Sequence, residues 1–206
     1  MDVSVLKSGS VFRIADFVVK LYRRSSNPLA RLRTPRALRA VHAHRRILPV
    51  QSPRPVHWRR LKAGPHESVL VYEYLEGRSL LELWGGGDAA PIAALPRLFA
   101  ALHTVGALHA DLHAKNLIWT GDAWCVLDLD GVRHGLHAIR RRTITENTWA
   151  RLLFDFNGDE AARDLYREFL RLAGDPWEHG ASWARILHRF DEVLRAHLTS
   201  GIQPGS

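Results

Sequence analysis

His109, Asp111, Leu112 and Asn116 are followed, twelve residues on, by Asp128 within the run Val126-Leu127-Asp128-Leu129-Asp130. This pattern restricts the fold more than any other stretch of the chain. The segment after Asn116 is apolar enough to be a buried strand, yet it carries two carboxylates. Buried charge without a partner is expensive. The strand must therefore end at a cleft, with the loop 109–116 on the same side of it.

The loop reads H-x-D-L-x-x-x-N, a spacing with a known mechanical sense. Phosphoryl transfer needs a hydroxyl held in line and the phosphate charge neutralised by metal and cations. In that scheme Asp111 accepts the acceptor's hydroxyl proton. Asn116, five residues later, binds a metal ion through its amide oxygen, and Asp128 holds Mg²⁺ against nucleotide phosphates. Lys20, on the β-branched and aromatic run 17–22, pairs with the α- and β-phosphates. The order is strand lysine, helix, strand, helix, loop, metal strand. It predicts transfer of a phosphoryl group from a metal-bound nucleotide to a hydroxyl.

The coarse elements follow from pattern. Residues 3–22 read as two strands, including Val11-Phe12-Arg13-Ile14, with a turn at Ser8-Gly9-Ser10. Thr34-Pro35 predicts a helix start, with Thr as N-cap and Pro in the first turn, running to about Arg46. Pro49, Pro53 and Pro55 predict an extended segment, and residues 68–75 a buried strand. Gly85-Gly86-Gly87 reads as a loop between helices. Residues 91–104 read as a helix with Leu95, Phe99 and Leu102 on one stripe, and 146–154, 159–172 and 182–198 as further helices. The fold class expected is α+β: a compact, short, two-lobed protein-kinase-like fold. A small β-rich N-lobe with one helix covers residues 1–76, and a mostly helical C-lobe covers 77–206.

Charge enters because it is uneven. The chain of 206 residues has a formal net charge of +8. No Asp or Glu occurs from Phe17 to His66, a stretch holding Lys20, Arg36, Arg39, Arg54 and other cations. Such a face attracts anions: nucleotide phosphates, an acidic glycolipid or an acidic membrane surface. A nucleic-acid partner is not expected, because no recognised binding module accompanies the basic run. No apolar run approaches the roughly 20 residues of a membrane span. The first residues lack the apolar core of a secretory signal. The lone Cys125 is expected to be a small core residue. A reducing cytoplasm fits these facts. The close histidine pairs His42/His44, His109/His113 and His134/His137 lack the cysteines and converging acids of a structural zinc site. Arg140-Arg141-Arg142 is expected in a solvated loop, and Trp149, Trp177 and Trp183 in core or interlobe packing. Asp130 is a candidate supporting group beside the metal.

Residues 98–118, LFAALHTVGALHADLHAKNLI, followed by Leu127-Asp128-Leu129-Asp130, resemble the bacterial lipopolysaccharide kinase family. Its typical string is LH..G..HGDLH..N followed by IDFD. Residues 17–22 and Val71-Tyr72-Glu73-Tyr74-Leu75-Glu76-Gly77 are similar to that family's lysine strand and hinge. The likeness covers most of residues 8–155, with its specific motifs between 98 and 130. It implies ATP, Mg²⁺ and a sugar hydroxyl as acceptor, in Kdo or heptose of the lipopolysaccharide inner core. It also implies work on the cytoplasmic side, with peripheral contact between the basic lobe and the inner membrane. Under this resemblance His109 braces the loop and the metal Asp. His113 takes the place of a protein-kinase lysine, and the backbone of Glu73 and Leu75 faces adenine. Gly9 alone stands where a Gly-rich loop would be.

Two departures accompany the likeness. The helix after Lys20 contains no acid, whereas kinases pair that lysine with a helix Glu. The expected position falls near Thr34. The glycine-rich loop is reduced to Gly9. These departures keep two other readings open: a pseudokinase that holds an anionic partner, and a small-molecule, aminoglycoside-type phosphotransferase.

Overall fold

The computed structural model describes residues 3–7, 10–27, 33–136, 138–173 and 183–200. The chain starts with strands β1 (Val3–Lys7), β2 (Val11–Ile14) and β3 (Phe17–Arg23), then helix α1 (Arg36–Arg46). Strands β4 (Pro55–Arg60) and β5 (His66–Glu73) follow. All five form one antiparallel sheet in the order β1-β2-β3-β5-β4. Residues 3–22 thus hold three strands where two were expected, because β1 adds a separate edge strand. The proline-rich segment is also more than a spacer. Pro55 opens an edge strand, where its missing N–H is tolerated, and exposed Arg59 and Arg60 keep that edge from pairing onward.

In β3 alternate side chains face inward. Val18 and Tyr22 are buried, and Lys20 lies between them on the same face. Helix α1 packs against that side through Ala37, Ala40 and Ala43, all buried. Alanines at a three-residue spacing let a helix backbone approach closely. The helix start differs from expectation. Pro35 occupies the N-cap position, with no side-chain cap from its own turn. Strand β5 supplies the caps instead: Glu67 Oε1 accepts from the Arg36 N–H at 3.1 Å, and Ser68 Oγ lies 3.5 Å from the Ala37 nitrogen.

The second half adds β6 (Arg78–Ser79), α2 (Leu80–Gly85) and α3 (Ala89–Thr104). Ser79 and Glu82 form a capping box that starts α2. Short strands β7 (Ala107–His109), β8 (Leu117–Trp119), β9 (Trp124–Val126) and β10 (Val132–His134) frame the loop region. Strand β7 pairs with β10, and β8 pairs with β6 and β9, all antiparallel. Helices α4 (Ala138–Asp155), α5 (Ala161–Ala173) and α6 (Trp183–Ser200) complete the chain. Arg140, Arg141 and Arg142 lie in α4 and not in a loop; Arg141 reaches His103 Nε2 at 3.0 Å. Nothing local marks that first turn of α4, because its stabilisation comes from packing.

The helical part is held by an aromatic cluster of Phe99, Trp149, Tyr166 and Phe169, with Trp183 against Tyr166. Trp177 and His137 lie outside the described residues. Cys125 is buried on β9 as a core residue, and burial pushes its thiol up to about 11. The architecture is an α+β fold of the two-lobed kinase-like kind, sheet on one side and helices on the other. No helix among the described residues is long and apolar enough to cross a membrane.

Candidate active site

Between sheet and helices, the loop after β7 and the turn after β9 are locked together by His109. Its ring is 3 % exposed. Nδ1 accepts from the Asp111 N–H at 3.2 Å, which places the ring proton on Nε2. Nε2 then donates to the carbonyls of Leu127 (3.1 Å) and Asp128 (3.0 Å). Burial lowers this histidine to about 4, so it is neutral at physiological pH. The brace is needed because Asp128 adopts φ +54°, a left-handed conformation uncommon outside glycine. The Gly131 N–H closes the turn on the Asp128 carbonyl at 3.0 Å. A Cβ at Gly131 would lie 2.6 Å from His109 Cε1, so no larger residue fits there.

Lys20 crosses from the sheet to this turn. Its Nζ pairs with Asp128 and lies 3.5 Å from Asp130 Oδ1. Arg36, the first residue of α1, donates from Nε to Asp130 Oδ2 at 2.7 Å. Both cations lie over the Tyr22 ring, each 5.0 Å from its centroid, a placement favourable to both. Burial, with Asp130 and Asp128 nearby, drives the Tyr22 hydroxyl far above its usual range, so it stays protonated. The two carboxylates diverge. Burial, with Asp130 beside it, pushes Asp128 up to about 6 against the pull of Lys20. Asp130 is buried too, but Asp128, Lys20 and Arg36 together hold it far below the usual carboxylate range.

Asp111 is exposed at the mouth of the cleft and pairs with Arg151 of α4. Burial alone would raise Asp111; the bond and charge of Arg151, with His113 and His109, outweigh it and keep the group ionised. Two further contacts place α4 behind the loop. Thr148 Oγ1 donates to the His109 carbonyl at 3.3 Å, and Asp155 Oδ2 accepts from the Ala114 N–H at 2.6 Å. His113 is half-buried; burial lowers it against the opposing charges of Asp155 and Asp111. Asn116 ends a 3-10 turn (Ala114–Asn116). Its Nδ2 donates to the Asp111 carbonyl at 3.2 Å, and its own carbonyl accepts from Leu127 at 2.8 Å.

Lys20, Asp111, Asn116, Asp128 and the brace His109 thus converge. His109 faces into the fold and acts through Asp111 and Asp128. Glu73 ends β5; its carboxylate pairs with Arg54, and its N–H donates to the Arg54 carbonyl at 3.1 Å. Leu75 lies in the irregular stretch between β5 and β6. Gly9 lies outside the described residues. Among the described residues no three His, Cys, Asp or Glu side chains gather as a metal-holding cluster. A cation here would rest on Asp128 and the Asn116 carboxamide.

The residues not foreseen are Arg36, Tyr22, Gly131, Thr148, Arg151 and Asp155. Tyr22 was legible as the i+2 neighbour of Lys20 on one strand face. Thr148, Arg151 and Asp155 follow a three- and four-residue spacing that puts them along one side of α4. Beside the carboxylates lies an open cleft of about 350 Å³, lined by Arg36, Arg39, Asp111, Asp128, Asp130 and Arg133 among others.

Known proteins share the family pattern and the fold of this chain. The model of the lipopolysaccharide kinase (Kdo/WaaP) family matches residues 9–172. A 3-deoxy-D-manno-octulosonic acid kinase of Stenotrophomonas maltophilia (strain K279a) is 31 % identical over 149 residues, covering 69 % of this chain and 56 % of that protein. One from Xanthomonas axonopodis pv. citri (strain 306) is 33 % identical over 133 residues, covering 62 % of this chain and 52 % of that protein. The chain therefore spans about half the length of the curated relatives it matches. Among solved structures, WaaP in complex with acyl carrier protein aligns with a TM-score of 0.57 at 17 % identity, over 92 % of this chain and 88 % of that one. WbdD, solved with the kinase inhibitor LY294002, aligns with a TM-score of 0.57 at 15 % identity, over 95 % of this chain and 46 % of that one. At such identities the two structures speak for the fold alone.

Proposed function

The chain belongs to the lipopolysaccharide kinase (Kdo/WaaP) family, and from that premise we propose that it transfers the γ-phosphoryl group of ATP to a sugar hydroxyl. The acceptor class is the lipopolysaccharide inner core, Kdo or heptose. The observation that carries the reading is the convergence of Lys20 and Asp128 with Asp111 on a turn braced by one buried histidine. In this reading residues 1–76 and 77–206 act as two lobes closing on the nucleotide. The protein works on the cytoplasmic side, and its basic lobe meets the acidic inner-membrane surface.

The donor set fits Mg²⁺, which accepts few protein oxygens and keeps phosphate and water ligands. Asp128 and Asn116 would hold it. When bound, it neutralises phosphate charge and aligns the γ-phosphoryl group. Lys20 then leaves Asp128 for the α- and β-phosphates. Asp111 orients the acceptor hydroxyl once Arg151 yields. The hydroxyl oxygen forms the new O–P bond, the bond from the γ-phosphorus to the bridging oxygen breaks, ADP leaves, and the proton passes to Asp111. Arg151, freed from Asp111, remains close enough to offset charge on the group in transit. A loose transition state, in which the hydroxyl gives up its proton late, asks little basicity of Asp111.

Nucleotide binding and transfer separate cleanly in a test. Mg²⁺ and ATP together should raise the melting temperature, and Asp128→Ala should abolish that rise. Asp111→Asn should keep it while lowering turnover on core-sugar acceptors by about 10²–10⁴-fold. An acceptor panel of Kdo-bearing lipid A, heptosylated core and aminoglycosides identifies the class. No thermal response to millimolar Mg²⁺–ATP would favour the pseudokinase, and turnover on aminoglycosides alone would favour the small-molecule enzyme.

A further inference from the structure

The cleft beside Asp111 holds more positive charge than the phosphoryl-transfer groups use. Of its three acids, Asp111 is matched by Arg151, Asp130 by Arg36 and Lys20, and Asp128 by Lys20. Arg39 and Arg133 line the same cleft, and neither forms an ion pair among the described residues. Arg39 Nε is buried with no hydrogen-bond partner there. Arg133 is fixed in place by backbone: its Nη1 donates to the carbonyls of Asp130 (2.7 Å) and Val132 (3.0 Å). A desolvated guanidinium N–H without an acceptor is costly. Two guanidinium groups crowded on one wall repel each other. An anion seated between them would offset both terms, and arginine's fork suits carboxylates and phosphates.

We propose that Arg39 and Arg133 form a subsite for an acidic group of the acceptor, a carboxylate or a phosphate monoester. This rests on the acceptor-phosphorylating reading above. The cleft is open to Asp111, where the reacting hydroxyl must lie, and at about 350 Å³ it is of monosaccharide size. An acid carried on the same sugar, or on the sugar next to it, reaches the arginines while its hydroxyl meets Asp111. The subsite thereby sets regiochemistry, because only a hydroxyl at the right separation from the acid is presented. Neutral sugars lose this anchor. Arg36 also lines the cleft, but it is committed to Asp130 and belongs to the network around Lys20.

Equilibrium binding tests this apart from turnover. The probes are Kdo-bearing lipid A, the same glycolipid with its Kdo carboxyl methyl-esterified, and the same glycolipid dephosphorylated, each titrated in detergent with a non-hydrolysable ATP analogue and Mg²⁺. Arg39→Gln and Arg133→Gln should each weaken binding of the native acceptor about ten-fold or more. One of the two modified acceptors should bind the unaltered protein equally poorly, and the substitutions should add little to that loss. Loss with the ester assigns the acid to the sugar carboxylate; loss with the dephosphorylated form assigns it to the lipid phosphate. Native affinity in both variants, indifference of the unaltered protein to both modifications, or no binding of any probe overturns the subsite. If one variant does not melt cooperatively, the other variant and the acceptor series still decide. Arginine-dependent binding without phosphoryl transfer would leave the subsite standing and remove the transferase reading.

Discussion

Gly131 shows how tightly single residues are specified here. Its missing Cβ is the space the His109 ring occupies, and that ring holds the left-handed Asp128. Gly131→Ala should cost about 1–3 kcal/mol through overpacking, seen as a lower melting temperature, and should erase the response to Mg²⁺–ATP. An unchanged response would mean that the brace is dispensable. His109 also sets a pH dependence. Its folded pKa of about 4 lies below the ordinary value of 6.5, so the unfolded chain binds more protons between those values. The contribution to stability is complete above about pH 6.5 and is lost as pH falls toward 4, on the order of 3 kcal/mol. His44, His103, His113 and His134 are lowered as well and act in the same direction. Asp128, raised to about 6, acts in the opposite direction over part of this range, so the test is a difference: as pH falls from 7 to 4.5, His109→Gln, starting from a lower melting temperature, should lose less stability than the unaltered protein. A parallel profile in that variant would place the sensitivity elsewhere.

At the scale of elements, α4 is the loop's scaffold. Thr148, Arg151 and Asp155 contact the loop, while Trp149, Leu152 and Leu153 are buried in the core. Asp155→Ala should leave the Ala114 N–H without its acceptor, costing about 1–3 kcal/mol, and should lower kcat more than it raises the KM for ATP. Equal changes in both would mean that the loop's position does not govern the chemical step. The apolar half of this helix was legible in its periodicity; the polar stripe reads as surface unless the loop's need for donors and acceptors is known. The same limit hid the cap of α1. Thr34-Pro35 announces a helix start by local chemistry, but the acceptor that serves it, Glu67, lies 31 residues away on β5. Strand β4 was obscured by its prolines, whose edge position only the sheet order reveals. The lysine strand, the loop and the metal turn were legible because their spacing is short and chemically constrained.

In the molecule as a whole, Lys20 and Arg36 fasten sheet and first helix to the turn that carries Asp128 and Asp130. The sequence pointed to Lys20 and registered the missing helix acid; what replaces that acid was not readable, since an arginine among so many others has no distinguishing neighbour. Arg36→Ala should destabilise the fold by on the order of 1–2 kcal/mol, less than a fully buried pair because the arginine is half exposed. It should also weaken Mg²⁺–ATP binding, measured by calorimetry at two salt concentrations; unaltered affinity at both would detach α1 from the nucleotide site. In kinases with a helix glutamate, the strand lysine has a partner of opposite sign on the helix. Here the helix offers a cation, Arg36, and Lys20 meets its opposing charge on the turn. A glutamate at position 36 would set a further acid beside Asp130, where like charges repel. The helix charge and the turn acid are therefore coupled: the effect of changing residue 36 depends on whether Asp130 keeps its carboxylate.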